Sequence, residues 1–329
     1  MDMNKYNYVF VCTDTDFYKA SYADIKERND AICLWDPLTT NNRVLRTLYK
    51  IHTSPRINKV FKVPFQGIWN SKICNVSFEI KKAKCYIFFA GRKKEIENGI
   101  FRYLRKKDKD CKIVVFYQDI VARSGLTNIE KIKKEADLVL SFDQGDVQNY
   151  DLIYYPLVYS SIEIPENPSI EKSDVFFVGK AKDRLDRIIA SYEVLKRAGL
   201  KCDFHIIGVD DQDRKYADEI VYQNQMPYIE NLQRIRASKC LLEVMQQGGH
   251  GYTLRYCEAI MYDKGIITDN PEIRQAPFYD SEIIYQFKNP ADISAEFVKK
   301  LPDHPDYHFK DKLSPIKLIE FIEEQLEKI

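Results

Sequence analysis

Short, nearly uninterrupted apolar runs alternate with amphipathic stretches along this chain, in two successive series. In the first, YNYVFVC (core 7–12), AICLWDP (31–37), AKCYIFFAG (83–91), KIVVFYQD (112–119) and ADLVLSFD (136–143) have the length and the β-branched and aromatic content of strands. EIENGIFRYLRKKD and LTNIEKIKKE lie between the later ones as helices. The second series runs SDVFFVG (173–179), DRLDRIIASYEVLKRAGL (183–200), CDFHIIGV (202–209), NLQRIRASK (231–239), CLLEVM (240–245), TLRYCEAIMYD (253–263) and GIITDN (265–270). Strands apolar on both faces and separated by helices belong to parallel sheets covered on both sides. The sequence therefore predicts an α/β chain of two Rossmann-like lobes, with a cleft at the carboxyl ends of both sheets. The predicted divisions are an N-terminal lobe over 1–160, a linker over 161–172, a C-terminal lobe over 173–312 and a terminal amphipathic helix over 313–329. The three prolines of 151–172 mark the linker region, and Ser314 and Pro315 start the last helix.

Composition narrows the class. With 45% hydrophobic and 30% charged residues, the 329-residue chain reads as an ordinary globular protein. No apolar run approaches the roughly 20 residues that span a bilayer. The opening residues lack the basic start and long apolar core of a secretory signal, so a cytoplasmic location is expected. The eight cysteines are dispersed and form no C-x-x-C pair, which predicts reduced, buried thiols and no zinc site. Charge is uneven: residues 1–160 hold 27 Lys/Arg against 19 Asp/Glu, and the remainder 23 against 30. A basic half suits an anionic neighbour such as nucleic acid, a membrane surface or a phosphorylated acceptor; solvated lysines explain it equally.

Chemistry concentrates between Glu243 and Asn270, which reads strand, glycine-rich loop, helix, turn, strand. Gly248, Gly249 and Gly251 let backbone approach a ligand closely. The helix starting near Thr253 points its free N–H groups and positive dipole end at the same place, which suits a diphosphate. Arg255 adds a cation in the first turn, and Glu258 stands one turn on, where a carboxylate can hold ribose hydroxyls. A tight loop with a solvated Arg and Glu is the plainer reading of the same residues.

His250-Gly251-Tyr252-Thr253-Leu254-Arg255-Tyr256-Cys257-Glu258-Ala259 resembles the donor-site motif E-G-F-G-L-x-x-x-E-A of GT-B glycosyltransferases. The resemblance places Glu258 on the glutamate that contacts the nucleotide ribose, while Gly251, Tyr252 and Leu254 hold their places. His250 stands where the family has its first glutamate, and Thr253 replaces the second glycine. Phe176–Gly199 is similar to the opening of the GT-B C-terminal domain, where Gly179 ends a strand. There Lys180 and Arg184 match the Lys/Arg pair that neutralises the donor pyrophosphate. Residues 136–160 resemble the end of the N-terminal lobe in bacterial surface-polysaccharide transferases. The resemblance implies sugar transfer from a nucleotide sugar to a glycan or lipid-linked acceptor, with no further cofactor and no metal.

For the acceptor, Asp14 and Asp16 after the first strand, and Asp119 after the fourth, are candidate bases at strand ends, with His250 beside them and His52 as a further candidate; strand-end aspartates also serve as helix caps. The Asp-x-Asp at 211–213 is read as an acidic turn. The segment 43–69 mixes Lys/Arg with Leu, Tyr, Phe and Trp, which suits anionic headgroups at the membrane face or a plain amphipathic helix. Two alternatives stand beside the transferase: a GT-B-like binding lobe without catalysis, and a nucleic-acid-binding protein using the basic half. No nucleic-acid recognition motif is present, so nucleic acid is not expected as a partner. No G-x-G-x-x-G follows any predicted strand, which disfavours a dehydrogenase.

Overall fold

A computed structural model describes residues 5–38, 40–61, 63–65, 67–73, 83–125, 128–247 and 250–329. The chain divides into two compact units, one of residues 1–156 with 315–329, the other of residues 157–314.

The first unit is built on β1 (Asn7–Cys12), β2 (Ala31–Trp35), β3 (Lys84–Phe89), β4 (Lys112–Tyr117), β5 (Leu138–Ser141) and β6 (Ile153–Tyr154). All pair in parallel in the order β2-β1-β3-β4-β5-β6. β1 and β4 are buried along almost their full length, as runs apolar on both faces demand. One face packs Val9, Val11, Phe88 and Val115 against Ile100, Phe101 and Leu104 of the helix Ile100–Lys107. An aromatic group of Phe10, Tyr18, Tyr22 and Phe89 also packs in this unit. The C-terminal helix Pro315–Leu326 belongs here too: Phe321 packs on Tyr155 with ring centroids 4.7 Å apart, and Glu323 accepts from the Tyr8 hydroxyl at 3.0 Å.

The second unit holds β7 (Ser173–Lys180), β8 (Cys202–Ile207), β9 (Val221–Gln223), β10 (Ser238–Glu243), β11 (Gly265–Thr268) and β12 (Ile284–Gln286). Its six strands are parallel in the order β12-β11-β10-β7-β8-β9. Numbered within the unit this is 3-2-1-4-5-6 read from the other edge, the dinucleotide-fold order. The chain leaves β7 to build one half-sheet, then returns to β10 on the other side, so the strand order reverses between β7 and β10. At that point the following loops diverge and leave a crevice at the strand ends. The short edge strands β6, β9 and β12 are structural additions that the sequence pattern did not contain. Residues 238 and 239, read as the end of a helix, open β10 instead: the helix Tyr228–Ala237 stops when Ser238 takes extended backbone.

Candidate functional site

A cavity of about 380 Å³ opens in the second unit where β7 and β10 end. Val178, Gly179 and Lys180 supply one wall, and Leu242, Glu243 and Val244 another. Tyr228 and Asn231 reach in from the helix Tyr228–Ala237, and Thr253, Leu254, Arg255 and Glu258 from the helix Leu254–Met261. The position is the crevice at the switch point.

Two arginines cap carbonyls near the ends of β7 and β10. Arg255 donates from Nη2 to the Val178 carbonyl at 2.6 Å. Arg184 donates from Nη1 to the Val244 carbonyl and from Nε and Nη2 to the Lys180 carbonyl at 3.2 Å. Burial lowers the Arg184 pKa, but a guanidinium does not give up its proton in proteins, so a poorly solvated cation is held at the cavity wall. Gly179 makes room for it, since a Cβ there would stand 3.1 Å from Arg184 Nη2 and 3.2 Å from the Phe177 ring.

The carboxylates are set deeper. Glu258 accepts from Asn231 Nδ2 at 2.8 Å and from the Tyr228 hydroxyl at 3.2 Å, and pairs with Arg255 Nη1 at 3.2 Å. Burial raises its pKa more than Arg255 and these donors lower it. Glu243, at the end of an apolar strand, accepts from the Thr253 hydroxyl and from the Thr268 hydroxyl at 2.8 Å; burial again drives its pKa up. Thr253 is also the N-cap, its hydroxyl accepting from the Arg255 amide at 3.2 Å. A buried carboxyl thereby fixes the residue that shapes the helix N-terminus.

The loops beside the cavity are tied across the switch point. Lys182 Nζ donates to Gln246 at 2.8 Å, and Asp183 accepts from the Gln247 amide at 2.8 Å. Further along, Glu272 divides its oxygens between the His250 ring at 2.8 Å and the Gly251 amide at 3.0 Å. Burial alone would raise the Glu272 carboxyl, but His250 and the Gly251 amide outweigh it and hold it below its ordinary value. Gly251 sits at φ +80°, the left-handed region that suits glycine.

A second recess, of about 410 Å³, lies beside the β7 loop. Its wall carries Lys182 and Lys215 against Asp183, Asp186 and Asp213, so it offers no net attraction for phosphate. Asp213 belongs to the acidic turn 211–213, whose Asp211 pairs with Arg214 at 2.7 Å. Among the described residues no three His, Cys, Asp or Glu side chains gather as a metal site.

No family model matches the chain, and no curated protein matches it in sequence. Solved structures match it in fold. It is similar to a trehalose-6-phosphate synthase, at 11% identity and a TM-score of 0.59, over 98% of this chain and 99% of that one. It is similar to an alpha-glucosyltransferase in complex with UDP and a 13-mer DNA, at 12% identity and 0.56, over 97% and 98%. A structure assigned as a UDP-N-acetylglucosamine 2-epimerase from Listeria monocytogenes matches at 10% identity and 0.54, over 99% and 98%. The chain spans about half the length, 54% and 55%, of two TarM structures that it also matches. The fold is GT-B.

One sequence expectation falls with these likenesses. Nucleic acid was excluded as a partner for want of a recognition motif. Yet alpha-glucosyltransferases of the GT-B fold are solved with DNA, at TM-scores of 0.50, 0.56 and 0.52. A short-motif search is blind to recognition built from a lobe surface, so the exclusion is withdrawn.

Of the residues that the sequence singles out, Gly179, Lys180, Arg184, Thr253, Leu254, Arg255 and Glu258 line the 380 Å³ cavity. Gly249 lies outside the described residues. Tyr252 packs on Tyr256 and Phe278, with ring centroids 5.8 and 5.1 Å away. Asp14, Asp16 and Asp119 lie in the first unit: Asp14 pairs with Lys19 at 2.6 Å, Asp16 opens a helix, and Asp119 accepts from the Ile120 amide at 2.9 Å. His52 spends both ring nitrogens inside the first unit, one accepting from Trp69 Nε1 at 2.8 Å, the other donating to the Pro64 carbonyl at 3.0 Å. Residues the sequence reading passed over are Glu243, Glu272, Tyr228 and Asn231. A carboxylate ending the apolar run CLLE was the one legible signal among them.

Proposed function

We propose that the chain is a glycosyltransferase that draws its sugar from a nucleoside-diphosphate sugar bound in the 380 Å³ cavity of the second unit. The observation that carries this reading is the meeting of Lys180, Arg184 and Arg255 with the N-terminus of the helix Leu254–Met261 at the switch point. When the glycosidic bond breaks, its electron pair goes to the diphosphate oxygen, and preset cations and helix amides stabilise the charge that develops there. Lys180 and Arg184 take the diphosphate, and Glu258 the ribose. The acceptor hydroxyl gives up its proton to a base, for which Asp14, Asp16, Asp119 and His250 are the candidates, His250 being oriented by Glu272.

The likeness of residues 136–160 to surface-polysaccharide transferases supports a growing glycan as acceptor. The basic first half and the DNA-bound structures of the same fold support nucleic acid as the rival acceptor. The test is calorimetric titration of UDP, GDP, ADP and dTDP, with and without Mg²⁺, on the wild type, Lys180→Ala and Arg184→Ala. One diphosphate should bind selectively, and each variant should weaken it about ten-fold or more, as the loss of a charge-assisted contact predicts. No binding at millimolar concentration, or wild-type affinity in both variants, removes the proposal. Release of the diphosphate only with a glycan or only with DNA then names the acceptor. An isomerised sugar formed with neither present would favour an epimerase-like reaction instead.

A further inference from the structure

We propose that the exposed helix Arg43–His52, with Val60, Phe61, Phe65 and Ile68 of the first unit, forms a docking surface for an anionic phospholipid bilayer. The proposal is independent of the nucleotide reading. The helix Arg43–His52 has no buried residue. Val44, Leu48 and Ile51 recur at helical spacing on one stripe, 68%, 49% and 54% exposed. Beyond it, Val60 at the end of the helix Pro55–Val60 is 90% exposed, Phe61 67%, Phe65 84%, and Ile68 at the start of the helix Ile68–Ile73 58%. Scattered apolar side chains are ordinary on a surface, but seven this exposed along one short stretch of chain mark an interaction face. Leu48, Ile51, Ile57, Val63 and Trp69 also wall an apolar groove of about 350 Å³ with His52.

Charge decides the occupant. Residues 37–73 contain seven Lys/Arg and no Asp or Glu. Arg43, Arg46, Lys50 and Arg56 are exposed around the apolar stripe. A protein partner with a complementary apolar face would not require an acid-free run. Nucleic acid would use the cations, but it has little use for Val44, Leu48, Ile51 and Val60. A bilayer rich in phosphatidylglycerol uses both, taking aliphatic and aromatic groups into the headgroup boundary while cations meet lipid phosphates. Among the described residues no helix is long and apolar enough to cross a membrane, so the contact is on the surface.

The test is flotation of the full chain with phosphatidylcholine vesicles and with equimolar phosphatidylcholine/phosphatidylglycerol vesicles, at low and high salt. Expected is binding to the anionic vesicles, at least ten-fold weaker on the neutral ones and weakened by salt. Leu48→Glu/Ile51→Glu should abolish it. Arg43→Gln/Lys50→Gln should weaken it about five-fold per cation. Both pairs lie on exposed positions, so unchanged melting and circular dichroism certify the fold. Failure of the wild type to float with anionic vesicles overturns the proposal, as does undiminished binding by Leu48→Glu/Ile51→Glu. A duplex oligonucleotide bound by the wild type, lost in the cation variant and kept in the apolar variant, with no vesicle binding, assigns the face to nucleic acid and overturns it too.

Discussion

Glu258→Gln isolates the buried ion pair on which the cavity wall rests. Glu258 is 3% exposed, and its oxygens receive Asn231, Tyr228 and Arg255. Arg255 Nη1 meets it at 3.2 Å as an ion pair rather than an aligned hydrogen bond, and has no hydrogen-bond acceptor. The glutamine oxygen can keep the Asn231 contact, but its amide then faces the guanidinium donor to donor. Removing one partner of a buried pair costs about 3–5 kcal/mol. Arg255 keeps its bond to the Val178 carbonyl and is 13% exposed on a cavity wall, so water recovers part of that. The expected loss is about 2–3 kcal/mol, which lowers the melting temperature of a unit this size by about 4–12 °C. The assay must be calorimetric, because both tryptophans, Trp35 and Trp69, lie in the first unit and would report the wrong one. Adding Arg255→Met removes the stranded charge, so the double variant should be more stable than additivity predicts by at least about 1 kcal/mol. A Glu258→Gln protein that melts within about 1 °C of the wild type, or additive losses in the double variant, would refute the pairing.

Glu243 gives a pH test: its folded pKa is raised by burial, so its stabilising contribution is present below the ordinary glutamate range and lost as pH rises through the folded value. Glu243→Gln does not titrate, so its melting temperature relative to the wild type should climb from acidic to neutral pH; a flat difference contradicts the burial. Gly265→Ala places a Cβ 2.5 and 2.7 Å from the two methyls of Leu301, and overpacking of that kind costs about 1–3 kcal/mol by thermal melting. Leu301→Ala in the same chain should recover part of the Gly265→Ala loss, and no recovery would point to backbone strain instead. Burial pushes the Cys111 thiol up to about 11 and Cys257 to about 12, so mass spectrometry after brief native alkylation should find both unlabelled, and prompt labelling of either would place it at the surface.

The strands that carry the two sheets were legible because their signal is local: a run such as KIVVFY is apolar on both faces, and only a covered parallel sheet uses one. The strand order is not local. Nothing in the sequence says that β10 pairs with β7 rather than with β9, although that pairing creates the crevice. Short edge strands such as Val221–Gln223 are set by a neighbour's open edge more than by their own residues, which is why pattern reading misses them. The cationic part of the site was legible because Lys180, Arg184 and Arg255 follow strands or open helices. The residues that hold the Glu258 carboxylate in place, Asn231 and Tyr228, come from a helix whose sequence marks only an ordinary amphipathic face.

His250 and Thr253, the two positions at which the sequence differs from the motif it resembles, have partners in the fold that the sequence could not supply. His250 stands where a glutamate is usual, and Thr253 where a glycine is usual. In the folded chain each meets a carboxylate from another element: Glu272, beyond β11, holds His250 and the Gly251 amide, and Glu243, ending β10, accepts from Thr253. His250, Gly251 and Thr253 therefore have acidic partners beside them from other elements. Asn270 completes the tie by donating to the Gly251 carbonyl at 2.9 Å and accepting from the Glu272 amide at 2.9 Å, so Gly251 is held through both backbone groups. Gly251 is fixed by the strand-end loop facing it rather than by its own sequence alone. Changing Glu272 should therefore move His250 and Gly251 together, whereas changing His250 should leave the Gly251 contact intact.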